Sequence, residues 1–351
     1  MKVKITDLMD DYYDSTIEIP QIDAPSSRKI KELTMKKIEH PPRKKRRIPK
    51  GILIAAIFVM LFCFTAGASY IITHQKTVAL METGPNTGGY IPVEIGEKSV
   101  SVIEKTSKDI NLSVQDSGTT LTMDSLMGMS TEDMSVVYMT FTLTPPEGTV
   151  FTADISDCGF MYASILPTSG ETPGFGAAGS VTAIDNGDGT ISTMLMWIFR
   201  GDVSGMPYTI HLEGFGNVSK EAARALYSGE RQIEVPGTWE FNLDEFPLES
   251  PQALTVDESL FENTVYKSAE IQIAPFGGTI RFADGVIDNL YGELPYQVMV
   301  EYPDGSTYES WTCYLNHGAY IFIFDAPQPV DEASYLVIED IKIPMVLSQN
   351  S

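Results

Sequence analysis

Three rhythms of apolar and polar positions run along this chain, and each predicts a different kind of element. Near the N-terminus Ile5, Leu8, Met9 and Tyr12 recur at i, i+3, i+4 and i+7, while Asp7, Asp10, Asp11 and Asp14 fall mostly on the other side. That spacing predicts a short acidic amphipathic helix. A helix of this length does not hold itself in water, so its apolar stripe awaits a partner; the rival reading is chance periodicity in an unstructured tail. Pro20 and Pro25 mark residues 15–25 as an extended linker. Ser26 or Ser27 then caps a second helix, Arg28 to about Glu39, with Ile30, Leu33, Thr34 and Ile38 on one face. Pro41 and Pro42 end it.

The second rhythm is an unbroken apolar run, Ile52 to Ile72, without one charged side chain. As a helix at about 1.5 Å per residue it spans roughly 31 Å, the thickness of a bilayer's hydrocarbon core. Arg43, Lys44, Lys45, Arg46, Arg47 and Lys50 precede it, whereas Lys76 and Lys98 alone follow within the next thirty residues. Cations collect on the cytoplasmic side of a span, so the N-terminus is expected inside and the C-terminus outside. The basic run should rest on anionic headgroups. Two rivals fit less well. A buried core helix does not carry a basic cluster against a charge-free 21-mer. A cleaved leader would use Ala66-Gly67-Ala68, but its n-region would be about fifty residues long and the apolar run continues past it.

From about Val100 the period changes to two. Ile110–Gln115, Thr119–Met123, Val136–Leu143, Met194–Phe199, Tyr208–Leu212 and Thr238–Leu243 read as strands, with one helix, Lys220–Tyr227, among them. Phe246-Pro247-Leu248-Glu249-Ser250-Pro251 reads as an inter-domain linker. A second set follows at Val265–Ala274, Thr279–Phe282, Gln297–Tyr302, Tyr320–Phe324 and Tyr335–Ile343, with turns at Asp284-Gly285 and Pro303-Asp304-Gly305. The expected fold is mainly β: one transmembrane helix, then two extracytoplasmic antiparallel β-sandwich domains, with a short helical cytoplasmic segment. The expected divisions are 1–50 cytoplasmic, 51–72 membrane, 73–98 linker, 99–245 first domain and 252–346 second, Ig-like domain.

Charge sharpens this division. Residues 1–50 hold 13 Lys+Arg and 8 Asp+Glu, a net +5; residues 51–351 hold 11 and 39, a net −28. So acidic an outer part repels nucleic acid, which excludes direct DNA or RNA binding there. Cys63 lies in the apolar run; Cys158 and Cys313 are far apart, and two free buried thiols are expected over a disulfide. Asp185-Asn186-Gly187-Asp188-Gly189-Thr190 resembles a calcium loop, but Gly187 stands where a ligand is needed and Gly189 comes one place early, so a tight turn is expected. His211 and His317 read as ordinary strand or turn residues. Gly174–Gly179 lacks a following helix and reads as a loop. No catalytic residue, metal site or cofactor is expected, because no nucleophile, zinc or phosphate motif occurs.

An acidic helix, Ile17-Glu18-Ile19-Pro20, the stretch Arg28–Ile38, a basic run and then a span: this order resembles the membrane-anchored regulators of Gram-positive bacteria that accompany extracytoplasmic-function sigma factors. Their outer portion begins with a β-sandwich domain of unknown function, commonly followed by an Ig-like one. Lys267–Phe282 resembles the opening of that second module. The cytoplasmic part here is shorter than a zinc-binding anti-sigma domain, and His40 has no cysteines near it. The resemblance implies an anti-sigma factor, not an enzyme, whose cytoplasmic segment sequesters a sigma factor through Ile5, Leu8, Met9, Tyr12, Ile30, Leu33 and Ile38 while the outer part meets an unknown ligand or wall component. The alternative is a membrane-anchored surface binding or adhesion protein without a sigma partner.

Overall fold

The computed structural model describes residues 75–82, 95–168, 178–218, 232–262, 264, 266, 268–282, 297–310, 312–316 and 318–346. The two helices expected within residues 1–50, the basic run and the apolar run 52–72 lie outside the described residues, as do the expected helix 220–227, the Asp284-Gly285 turn and His317. Among the described residues no helix is long and apolar enough to cross a membrane.

What is described is mainly β, with antiparallel sheets and few helices. After one helix, α1 (Glu97–Thr106), come β1 (Lys108–Asp116), β2 (Thr119–Ser130), β3 (Met134–Thr144), β4 (Cys158–Pro167), β5 (Ala178–Asp185), β6 (Ile191–Arg200), β7 (Tyr208–Asn217) and β8 (Ile233–Leu243). They form a sheet in the order β1-β2-β3-β6-β5 and a second in the order β4-β7-β8. The two pack face to face over one hydrophobic core that includes Leu121, Met139, Phe141, Trp197, Ile210, Phe215 and Trp239. Phe141 of the first sheet meets Phe160 and Phe241 of the second at ring separations of 5.6 and 5.7 Å. These offset and edge-on pairs add to the burial itself.

The second module comprises β9 (Gln252–Leu254), β10 (Ala269–Ala274), β11 (Gly277–Phe282), β12 (Val298–Glu301), β13 (Thr307–Glu309), β14 (Thr312–Asn316), β15 (Ala319–Ile323), β16 (Tyr335–Ile338) and β17 (Ile341–Pro344). Its sheets run β14-β15-β11-β10-β9 and β13-β12-β16-β17. A separate core of Ile271, Ile280, Val300, Phe322, Leu336 and Ile343 lies between them. The sandwich-like arrangement follows from the pattern: each sheet buries alternate side chains against the other.

Several elements differ from expectation. Residues 97–106 are a helix and not the start of period-two structure: Ser99, Val102, Ile103 and Thr106 are its buried positions, spaced i, i+3, i+4, i+7. Residues 75–82, inside the expected linker, are also helical. Tyr335–Ile343 is two strands, because Glu339 takes a positive φ of 52° and Ile338 pairs with Ile341 across a tight turn. β10 begins at Ala269, four residues after the expected start.

The expected linker 246–251 is itself held. Phe246 is buried and stacks on Tyr208 at 4.6 Å. The Glu249 N–H donates to the Gly128 carbonyl at 2.9 Å, and the Ser130 N–H donates to the Glu249 carbonyl at 3.2 Å. Gly128 has φ +152°, and a Cβ there would lie 1.9 Å from the Val136 carbonyl oxygen. A side chain is therefore sterically forbidden where β2 receives the connecting segment.

Candidate functional site

Part of the face that the first sheet turns away from its own core is covered. β2, β3 and β6 present Met127, Met129, Met134, Val136, Tyr138, Met194 and Met196 there, all buried. Burial on both faces explains why β3 and β6 read as near-continuous apolar runs. A bulge makes the same possible in β2. Met123 pairs with Phe141 and Ser125 with Thr140, so Asp124 is an extra residue. It reverses the parity: Leu121 and Met123 face the core before it, Leu126 after it, leaving Met127 and Met129 outward.

Three parts cover this face. Leu80 and Met81 come from the helical residues 75–82, Ile95 from just before α1 and Ile103 from within it, and Ala274, Phe276, Ile321, Ile323 and Ala326 from the second module. All belong to one hydrophobic cluster. Tyr138 and Phe276 meet across the module boundary at 5.7 Å.

Polar groups fix the parts in register. Lys76 Nζ donates to Thr142 Oγ1 at 3.2 Å, and Thr142 Oγ1 donates to Asp124 Oδ2 at 2.6 Å. Burial raises the Asp124 pKa; the Thr142 bond and the Lys76 charge pull the other way, and Asp109 adds to the rise. Between the modules, the Arg281 guanidinium pairs with the buried carboxylate of Asp133. Gln328 Nε2 donates to Ser99 Oγ at 3.3 Å, and Lys98 Nζ lies 4.5 Å above the Tyr302 ring. Tyr308, packed against this cluster and the second core, donates its hydroxyl to Asp325. Burial raises both groups; the shared bond raises the phenol further and lowers the carboxylate.

Beside the junction lies an open cleft of about 220 Å³ lined by Ser130, Glu132, Asp202, Glu249, Gln272 and neighbours. Burial pushes Asp202 up, yet bonds from Ser130 and Ser204 outweigh it and hold the carboxyl below its ordinary value. The lining offers hydroxyls and carboxylates and no histidine, cysteine or lysine.

The sequence-singled residues fare differently. Asp185–Thr190 is the β5–β6 turn: the Gly187 N–H donates to Asp185 Oδ1 at 2.8 Å and the Thr190 N–H to Asp188 Oδ1 at 2.9 Å. Gly187 and Gly189 take φ of 76° and 86°. Among the described residues no group of three or more His, Cys, Asp or Glu side chains is placed to hold a metal. His211 lies on the outer face of the second sheet, with Nε2 2.7 Å from Glu213 and Nδ1 3.2 Å from Glu240. Cys158 is a free, buried thiol, and burial pushes it up to about 12, with Glu234, Asp157 and Asp154 adding to the rise. It is therefore a poor nucleophile. Ile5, Leu8, Met9, Tyr12, Ile30, Leu33 and Ile38 and the basic residues 43–47 and 50 lie outside the described residues. The shared face was not foreseen; its one signal is the run of methionines at 127, 129, 134, 194 and 196.

No protein-family model matches the chain, and no curated protein matches it. A solved structure described as "The crystal structure of the conserved domain protein from Bacillus anthracis" is similar at 12% identity, over 63% of this chain and 75% of that one, with a TM-score of 0.30. A likeness that low carries no inference about fold or function. The class that the described residues define is a two-module, mainly-β protein whose modules share a buried face with a short N-terminal helical segment.

Proposed function

We propose that the chain is a single-pass membrane regulator, an anti-sigma factor whose cytoplasmic segment sequesters an extracytoplasmic-function sigma factor and whose outer β modules receive a signal. Four sequence features support the reading: the charge-free run 52–72, its basic flank, the acidic amphipathic helix of residues 5–12, and the order of parts that resembles such regulators. The observation that carries it furthest is the fate of the chain just beyond the span. Leu80 and Met81 of residues 75–82 are buried in the same cluster as side chains of both outer modules, so on this reading movement outside reaches the chain next to the span.

On this reading Ile5, Leu8, Met9 and Tyr12 order on the partner, with Ile30, Leu33 and Ile38 as a second contact. The acidic face suits a basic partner surface. Burial of one large apolar side chain contributes about 1.5–3 kcal/mol. Leu8→Asp in the full chain should therefore weaken sigma-factor retention by about tenfold or more while membrane insertion is unchanged. The test is co-purification with each of the host's sigma factors from solubilised membranes. Retention of none by the unaltered chain would sink the regulator reading and leave a surface-binding role for the outer modules.

A further inference from the structure

We infer that residues 75–82 are a latch whose seat is built jointly by the two β modules, so that parting the modules releases this segment. What the latch controls rests on the membrane topology proposed above; the seating rests on contacts alone. Within residues 75–82, buried side chains hold the segment against its neighbours. Thr77, Leu80 and Met81 are its buried positions.

The seat is composite. Met127, Met129, Met134, Val136, Met194 and Met196 form its floor, and none of them belongs to the core between the two sheets of the first module. Phe276, Ala326, Ile321 and Ile323 of the second module complete the same cluster. α1 ties the helical segment's side to the second module through Ser99 with Gln328 and Lys98 with Tyr302. If the second module withdraws, the floor becomes a contiguous apolar patch in water, and the remaining cover loses part of its packing. Docking of the segment and closure of the modules thus favour each other. Lys76 sets the register of the segment by reaching Thr142, which is held by the bulge residue Asp124.

Hydrogen exchange of the full chain in lipid nanodiscs, read by mass spectrometry, tests this. Phe276→Asp places a charge in the shared cluster, and Arg281→Glu opposes two carboxylates at the module boundary without touching the seat. The amides of residues 77–82 should exchange about tenfold faster in the first variant and about threefold faster in the second. β7, in the first module's own core, should keep its rate. Unchanged exchange over 77–82 in both variants would overturn the latch. So would a rise in Phe276→Asp that β7 shares, when Arg281→Glu leaves 77–82 unchanged. Sigma-factor retention is scored apart: faster exchange with no sigma factor retained keeps the latch and discards the regulator reading, and the converse result does the reverse.

Discussion

Gln328 and Ser99 stand 229 positions apart in the chain, and the side-chain amide of Gln328 donates to the Ser99 hydroxyl at 3.3 Å. The same amide donates to the Ala326 carbonyl at 2.9 Å, and its oxygen accepts the Tyr302 hydroxyl at 3.0 Å. One buried side chain thus joins α1, the second module's strand end and the loop after β15.

Replacing it should be felt beyond its own volume. Gln328→Leu keeps the shape but strands the buried Tyr302 hydroxyl, and an unmet buried polar group costs about 1–3 kcal/mol. Urea unfolding should report that loss. Adding Tyr302→Phe should restore part of it, since both partners are then apolar; a double variant no more stable than the single would contradict the assignment.

The Arg281–Asp133 pair is lopsided, with side-chain exposures of 43% and 6%. Removing the arginine leaves a buried carboxylate without this partner, whereas removing both charges does not. Arg281→Met should therefore destabilise by about 1–3 kcal/mol, and Arg281→Met with Asp133→Asn by less. A thermodynamic cycle showing simple additivity would mean the pair is uncoupled.

Gly128→Ala is expected to be severe for a small change. Its Cβ would meet the Val136 carbonyl oxygen at 1.9 Å, so β2 and β3 must part or the backbone must shift. Loss of the close approach also disturbs the Glu249 contacts with Gly128 and Ser130. A fall in midpoint denaturant at unchanged m-value is the expected readout. A variant as stable as the parent would show that the strand pair is looser than described.

His211 should titrate above its ordinary value of 6.5, chiefly through its hydrogen bond to Glu213, with Glu240 adding and burial opposing. A raised folded-state pKa means a contribution fully present below pH 6.5 and lost as pH rises through the folded value. Glu213→Gln should move the imidazole titration downward in an NMR pH series. No movement would assign the shift elsewhere.

How much of this was legible depended on whether one rule governed a segment. Val136–Leu143 and Met194–Phe199 were read correctly as strands because short runs rich in apolar, β-branched and aromatic residues fill both faces. Cys158–Pro167 and Ala178–Asp185 escaped because small residues dilute their periodicity. α1 was missed where its buried positions include Ser99 and Thr106, polar letters that do not announce an apolar stripe. The 335–343 hairpin was hidden by Glu339 at positive φ, a place where glycine or asparagine is the usual sign. The shared face was illegible for a further reason. A sheet with both sides covered loses the alternation that would reveal its second partner, and the bulge at Asp124 breaks what remains.

The methionines of that face have a mechanical consequence. Met127, Met129, Met134, Met194 and Met196 are unbranched, rotatable and polarizable, so they fill a changed outline without leaving gaps. A floor of isoleucine and valine would fit one placement of Phe276 and resist its neighbours. Should the second module shift, such a floor would serve as a bearing, its unbranched side chains repacking around Phe276 and keeping water out.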